Sequence, residues 1–376
     1  MRITAAALLA VLCAVFSAGS ASSASTLSCG EDITSGGTYV LASDLSCGPD
    51  PIRVDAGLDT TTTIDLGGHT LSGGGIFLAI YGQVTIEDGT IANASNGVWA
   101  GEGAVQLNSV QLRDNSTGIQ MPYGRGTVTI LDSSITHNSG DGVELGAFVD
   151  FDIERDVFAS NGGNGVTGLC DGAGTFRNDV FVKNGRSGVL LNGCEATIEN
   201  DAFVANGGDG LNISDTSLFI AGDVLEDNVA IGNNGHGIIA NLPVTDRGGN
   251  LAGGNRTSPQ CVNVACGPLP SDTTPAQCVP IAMTEGQPKQ LVVAVQDSQS
   301  GIVAISHSET NATVNFSFTP GTASSVAVTA TKIVQTVGSH VTLTVTDRAG
   351  NTTTCDPRWR AAKHSATVAP KRGARG

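Results

Sequence analysis

One asparagine returns along the middle of the chain at a nearly constant interval. Asn115, Asn138, Asn161, Asn184, Asn206 and Asn228 are separated by 23, 23, 23, 22 and 22 residues. A glycine follows each of the first five after three or four residues: Gly118, Gly142, Gly165, Gly188 and Gly210. After Asn228 the rhythm breaks and resumes at Asn233 and Gly237, as if five residues, Val229 to Asn233, were inserted. A fixed period of this length marks a solenoid, in which each repeat buries its apolar face only by stacking on its neighbours.

The columns identify the solenoid. Three residues before each asparagine stand Leu112, Ile135, Phe158, Phe181, Phe203 and Leu225. Eight before stand Leu107, Ile130, Ile153, Phe176, Ile198 and Ile220. Ile119, Val143, Val166, Val189, Leu211 and Ile238 follow the glycines. The local alternation has period 2, which is a strand signal. A coil of about 23 residues holds three short strands and three turns. The class is therefore all-β: a right-handed parallel β-helix of about nine coils over residues 30–257. Glycine supplies the positive φ of a sharp turn, and stacked asparagine amides bond from coil to coil. Phe158, Phe181 and Phe203 should stack inside.

Glycine contributes 50 of 376 residues, as a chain of many turns requires. The formal net charge is −16, and residues 25–355 carry 12 basic against 34 acidic residues, about −22. Such a body repels nucleic acid and anionic lipid and favours divalent or cationic partners. Residues 1–24 read as a secretion signal, with Arg2 as the positive end and Ala5 to Phe16 as the apolar core. That core is too short to span a bilayer, and no other stretch qualifies. The mature chain is then secreted, with eight cysteines that should pair. Spacing suggests Cys29–Cys47, Cys261–Cys266, a bridge between adjacent coils from Cys170 to Cys194, and Cys278–Cys355. Zinc binding lacks a Cys-x-x-Cys pair.

The run Ile64-Asp65-Leu66-Gly67-Gly68-His69-Thr70-Leu71-Ser72-Gly73 resembles the first coils of secreted right-handed β-helix repeat proteins, the pectate-lyase-like superfamily. The later repeats resemble it too. The resemblance implies fold and not function, because the family includes lyases, hydrolases, epimerases, adhesins and tailspikes. Residues 25–257 are read as the helix with its N-terminal cap, and 258–277, rich in proline, as a linker. Alternating strands over 278–355 read as a β-sandwich. Within it Val345-Thr346-Asp347-Arg348-Ala349-Gly350-Asn351 resembles the closing strand and turn of bacterial immunoglobulin-like modules. Residues 356–376 read as a disordered basic tail.

Three groups are candidates for chemistry. Asn234-Gly235-His236-Gly237 contains the Gly-His-Gly found in polygalacturonases, but the chain has no Asp-Asp pair. His236 also ends a column of polar turn residues: Thr117, Asp141, Asn164, Ser187 and Asp209. Five residues before the ladder asparagines lie Asp156, Asp179, Asp201 and Asp223. Stacked on an outer face about 4.8 Å apart, they would repel one another and invite Ca²⁺; alternatively each caps local turn amides. Lys183, Arg186, Asp209 and His236 supply a cation and a base, the requirements of β-elimination from a uronate. The arginine-rich signature of pectate lyases and the Asp-Pro-His run of epimerases are absent. Short coils and small turns favour a non-catalytic extracellular protein that binds polysaccharide, a cell-surface glycan or another partner, or serves as a spacer. The alternative is a lyase or glycoside hydrolase acting on an acidic polysaccharide.

Overall fold

A computed structural model describes residues 24–359, except 59, 80–81, 123, 170, 215–221, 242 and 285. The expected leader, nearly all of the basic tail, and Cys170 lie outside the described residues. From residue 25 onward the chain winds as a parallel β-helix of about nine coils. Each coil contributes three strands, which stack into three columns. Gly126–Leu131, Val149–Glu154 and Ala173–Arg177 belong to the first column. Ser134–Thr136, Val157–Ala159 and Val180–Val182 belong to the second. Thr117–Met121, Val143–Leu145 and Val166–Gly168 belong to the third, which forms an eleven-stranded sheet of its own.

Register is parallel and set by like residues. Ile130 faces Ile153, which faces Phe176, then Ile198 and Leu225. Phe158, Phe181 and Phe203 are fully buried. Their rings stack with centroids 4.8 and 5.2 Å apart and planes within 9° of parallel.

Beyond Phe203 the structure corrects the register read from sequence. The phenylalanine column continues as Ala230 and Ala252, while Leu225 joins Ile198 in the first column. The extra five residues therefore lie between Leu211–Ser214 and Val224–Glu226, and not at Val229 to Asn233. Part of that turn, 215–221, lies outside the described residues. Asn206 is followed in its ladder by Asn233, and Asn228 belongs to a different column.

Two corners of each coil are built alike. The backbone enters a left-handed residue and then a ladder residue. Asp114, His137, Ser160, Lys183 and Ala205 have φ between 54° and 57° just before the asparagine ladder. Ser109, Asp132, Arg155, Asn178 and Asn200 do the same before a second ladder, with φ between 50° and 62°. A left-handed residue turns the chain sharply and leaves the following N–H pointing along the helix axis. In the first ladder that N–H meets an amide oxygen one coil on: Asn115 to Asn138 at 2.9 Å, Asn184 to Asn206 at 3.0 Å, Asn206 to Asn233 at 2.9 Å.

Pairing in the helix runs past residue 257, through Cys261–Val262 and a bridge from Leu251 to Gly267. A C-terminal sandwich follows, with a four-stranded and a three-stranded antiparallel sheet. Leu291, Val293 and Val328 from one sheet and Ile305, Leu343 and Val345 from the other share its core. Disulfides join Cys29–Cys47, Cys261–Cys266 and Cys278–Cys355. Cys194 is also disulfide-bonded, while its expected partner Cys170 lies outside the described residues. These bridges suit an oxidising compartment. Among the described residues no helix is long and apolar enough to cross a membrane.

The sandwich sits on the outside of the second column. There Val157, Val180, Val182, Val204 and Ile231 pack against Val303 and Ala304. In these coils every residue of the second-column strand is buried: Val157–Ala159, Val180–Val182, Ala202–Val204 and Val229–Ile231. Further towards the N-terminus the matching outward positions are polar: Thr90, Gln111 and Ser134. The apolar seat thus ends midway along the helix.

Replacing Phe181 by Ala removes a buried ring that stacks on two others, so it should destabilise the protein by about 3–5 kcal/mol. Chemical denaturation monitored by circular dichroism measures this; a loss below about 1 kcal/mol would be inconsistent with the stack.

Candidate functional site

The turn residues singled out from sequence are only partly brought together. Asp209 Oδ1 accepts the main-chain N–H of His236 at 2.7 Å, and its Oδ2 accepts from Asn212 Nδ2 at 2.7 Å. The His236 ring lies 3.4 Å from the same carboxylate. One coil pair earlier, Asp141 takes the N–H of Asn164 and Asn164 takes that of Ser187. Asp209 and His236 therefore occupy a column of turn caps. Lys183 holds the left-handed corner before Asn184, and Arg186 stands exposed at the next turn. Neither is in an ion pair with Asp209 among the described residues.

The aspartate column differs from expectation in place and membership. Asp156, Asp179 and Asp201 are buried inside the second corner, not displayed on an outer face. Oδ1 of each accepts an N–H from the preceding coil: Ser133 to Asp156 at 2.6 Å, Asp156 to Asp179 at 2.8 Å, Asp179 to Asp201 at 2.7 Å. The next members are Asn228 and Asn250. Asp223 lies elsewhere, buried in the turn ahead of the first column, where it takes the N–H of Ala196. A Ca²⁺ ion would have to compete for oxygens that backbone amides already occupy. Arg155, next to Asp156 in the chain, turns away from the column and forms two bonds to Asp132, at 2.9 and 3.0 Å, and a contact with Glu154.

Burial pushes the carboxyls of Asp156, Asp179 and Asp201 well above the ordinary range, and Asp179's charge adds to the push on the other two. Backbone donors work against it. Asp201 is the least supported, since its Oδ2 is buried without a hydrogen-bond partner.

A second carboxylate group joins the linker to the sandwich. Asp272, Asp297 and Asp347 each place an oxygen within 4.8 Å of the others. Asp297 Oδ1 takes the N–H groups of Gln299, Ser300 and Gly301, and Asp347 Oδ1 takes those of Ala349 and Asn351. This is the turn of the Asp347-Arg348-Ala349-Gly350-Asn351 run. These residues are the only described group of three with the donor set for a metal ion.

A cavity lies where the sandwich overhangs the polar end of the second column. It is a cleft of about 570 Å³. Thr70, Thr90, Ser109 and Gln111 line it from the helix, and Thr313, Asn315, Thr331 and Lys332 from the sandwich. His69 and Asp44, 3.5 Å apart, stand at its edge. Lys332 makes no ion pair among the described residues. Gln111 Nε2 donates to the Val314 carbonyl at 3.3 Å and closes the inner end. Behind it His307 Nδ1 meets Glu309 Oε2 at 2.7 Å, with the His137 ring 6.1 Å from that of His307. Burial raises the Glu309 carboxyl, but His307, His137 and Arg113 together bring it below the ordinary range. Sequence reasoning missed this cleft, since it needs two segments over 200 residues apart to meet.

Residues 117–242 match the family described as "Right handed beta helix region". The fold is a right-handed β-helix. No curated protein matches the chain. Among solved structures, that of a mutant of the periplasmic alginate epimerase AlgG superposes with a TM-score of 0.49 at 16% identity. The superposition covers 62% of this chain and 70% of that one. So distant a likeness carries nothing about chemistry.

The buried column yields a prediction whose sign can be worked out. A carboxyl whose folded pKa lies above its unfolded value adds stability below the unfolded value, near 3.9, and loses it as pH rises through the folded value. At neutral pH, Asp201 therefore weakens the fold. Asn228, next in its column, donates Nδ2 to the Ile198 carbonyl at 2.8 Å. An asparagine at 201 would find the Phe176 carbonyl, which pairs with Ile198. Asp201→Asn should stabilise by about 1–2 kcal/mol at pH 7, and the gain should vanish towards pH 3. Melting curves across that range decide it; a variant less stable than wild type at pH 7 would contradict the assignment.

Proposed function

We propose that this is a secreted, non-catalytic protein that binds polysaccharide or a cell-surface glycan in the cleft between its helix and an immunoglobulin-like C-terminal module. The observation that carries the reading is the composition of that cleft. Hydroxyls and amides reach into it from both bodies, beside Asp88 and the apolar Pro288 and Ile333, with one lysine that makes no ion pair among the described residues. Ligand sites favour such junctions between packed units, and a wall that combines hydroxyls and amides with apolar surface matches a sugar ring, which presents both hydroxyls and C–H faces. The disulfides and the reading of residues 1–24 as a secretion signal support an extracellular setting.

One observation favours the catalytic alternative. His69, beside Asp44, shares the cleft with Lys332, so a base and a cation line one wall-to-wall space. Binding and turnover separate the two readings. A polysaccharide panel should show retention of the protein with no release of unsaturated uronates or new reducing ends. Lys332→Ala combined with Asn315→Ala should weaken that binding by about tenfold or more, or ~1.4 kcal/mol, without lowering the melting temperature. Product formation lost in His69→Ala would establish the enzymatic reading instead.

A further inference from the structure

Among the described residues no side-chain ladder runs along the third corner of the coils, between the third and first columns, and one of these corners carries an aromatic residue in an unfavourable backbone conformation. Phe148 has φ +61° and is 53% exposed. For a bulky side chain that region is a true outlier, and strain of this kind persists where function retains it. The other left-handed corners use Asp, Asn, Ser, Gly, Ala, His, Lys or Arg; among the described residues Phe148 is the one Phe, Tyr or Trp so held.

Its neighbours make a groove of about 460 Å³ with Arg125, Thr127, Asp150 and Asp171. Arg125 and Phe148 immediately precede Gly126 and Val149, which pair as the first residues of adjacent strands. Asp171 comes from the following coil. Three coils span about 10 Å, the length of a disaccharide. The Arg125 guanidinium forms no ion pair among the described residues. Asp150 uses Oδ1 for the Ala173 N–H at 2.9 Å. The Phe148 ring joins no ring stack among the described residues. By contrast, the outward pair Phe77 and Trp99 lie parallel with centroids 4.3 Å apart, and Arg53 covers Phe77. Those two rings cover each other, whereas no ring covers Phe148 among the described residues.

We propose that this groove is a second sugar site, separate from the interdomain cleft, and that it takes a neutral pyranose. The proposal rests on the glycan-binding reading above. An open aromatic face accepts the C–H face of a sugar ring, carboxylates accept its hydroxyl hydrogens, and a guanidinium donates to its oxygens. Two carboxylates in a protein of net charge −16 disfavour a polyuronate, and Arg125 disfavours an amino sugar.

Calorimetric titration of the full protein with cello-, manno- and xylo-oligosaccharides, and with oligogalacturonate, tests it. Phe148→Gly is the informative variant, because φ +61° suits glycine and the variant should melt no lower than wild type. It should bind the neutral sugar about tenfold more weakly, while Phe148→Tyr keeps affinity within about threefold. In Phe148→Trp, tryptophan emission should change saturably along the same titration. Undiminished binding by Phe148→Gly overturns the second site and leaves the cleft standing. The cleft is judged separately by the Lys332 and Asn315 double variant. Tighter binding of oligogalacturonate than of any neutral sugar overturns the ligand class, and no titration with any neutral sugar overturns the proposal outright.

Discussion

The structure depends on one repeated hydrogen bond: a main-chain N–H at a corner donating to a buried side-chain oxygen one coil away. A left-handed residue orients the N–H, and Asn or Asp supplies the oxygen. Without that acceptor each corner would leave a buried donor unsatisfied, at about 1–3 kcal/mol each. Because the acceptor belongs to the next coil, each bond also fixes the stacking distance and keeps the strands in register. Amide and carboxylate are not equivalent in this role. Asn161 accepts with Oδ1 and donates Nδ2 both to Asn184 and to the Ile135 carbonyl. An aspartate only accepts, so the second ladder accumulates like charge in a dry interior, and its outer members revert to Ser133, Asn228 and Asn250.

The helix was legible in the sequence because the same bond leaves a visible trace, an asparagine every 22 or 23 residues. The trace misled at one place. Asn228 sits 22 residues after Asn206 and so seemed to continue its ladder. The spacing of five that separates Asp156 from Asn161, Asp179 from Asn184 and Asp201 from Asn206 also separates Asn228 from Asn233. Following the pair of ladders, rather than one, would have placed the extra residues before Val224. The same slip put Asp223 and Leu225 one column away from where they pack. Burial of the aspartates was also hidden, since a charged residue at a regular offset reads as a surface stripe until its oxygens are seen to face backbone amides.

Docking of the sandwich had a signal that went unread. Strands with one face in water alternate, as in Asp150, Phe151, Asp152 and Ile153. Val157–Ala159, Val180–Val182 and Ala202–Val204 are apolar throughout, and a strand apolar on both faces must be covered on both. What covers it could not be read, because the partner segment around Val303 lies far away along the chain. The cleft follows from where that apolar strip stops. A body seated on the valines and reaching past them must overhang the polar Thr90 and Gln111.

The three corners divide the work of the coil. Two are locked by ladders and admit little variation, since a change there disturbs the coil before and the coil after. The third shows no ladder among the described residues, so its length and side chains are free to vary. It is Pro122 to Arg125 in one coil, Gly146 to Phe148 in another and only Gly193 and Cys194 in a third. The five-residue insertion, the disulfide at Cys194 and the exposed Phe148 all fall there. An insertion at either ladder corner would displace a left-handed residue from its oxygen and break the stack. At the third corner it only lengthens a loop. Features that serve something other than the stack therefore collect along that edge, and there a strained aromatic ring is tolerated without breaking an inter-coil hydrogen bond.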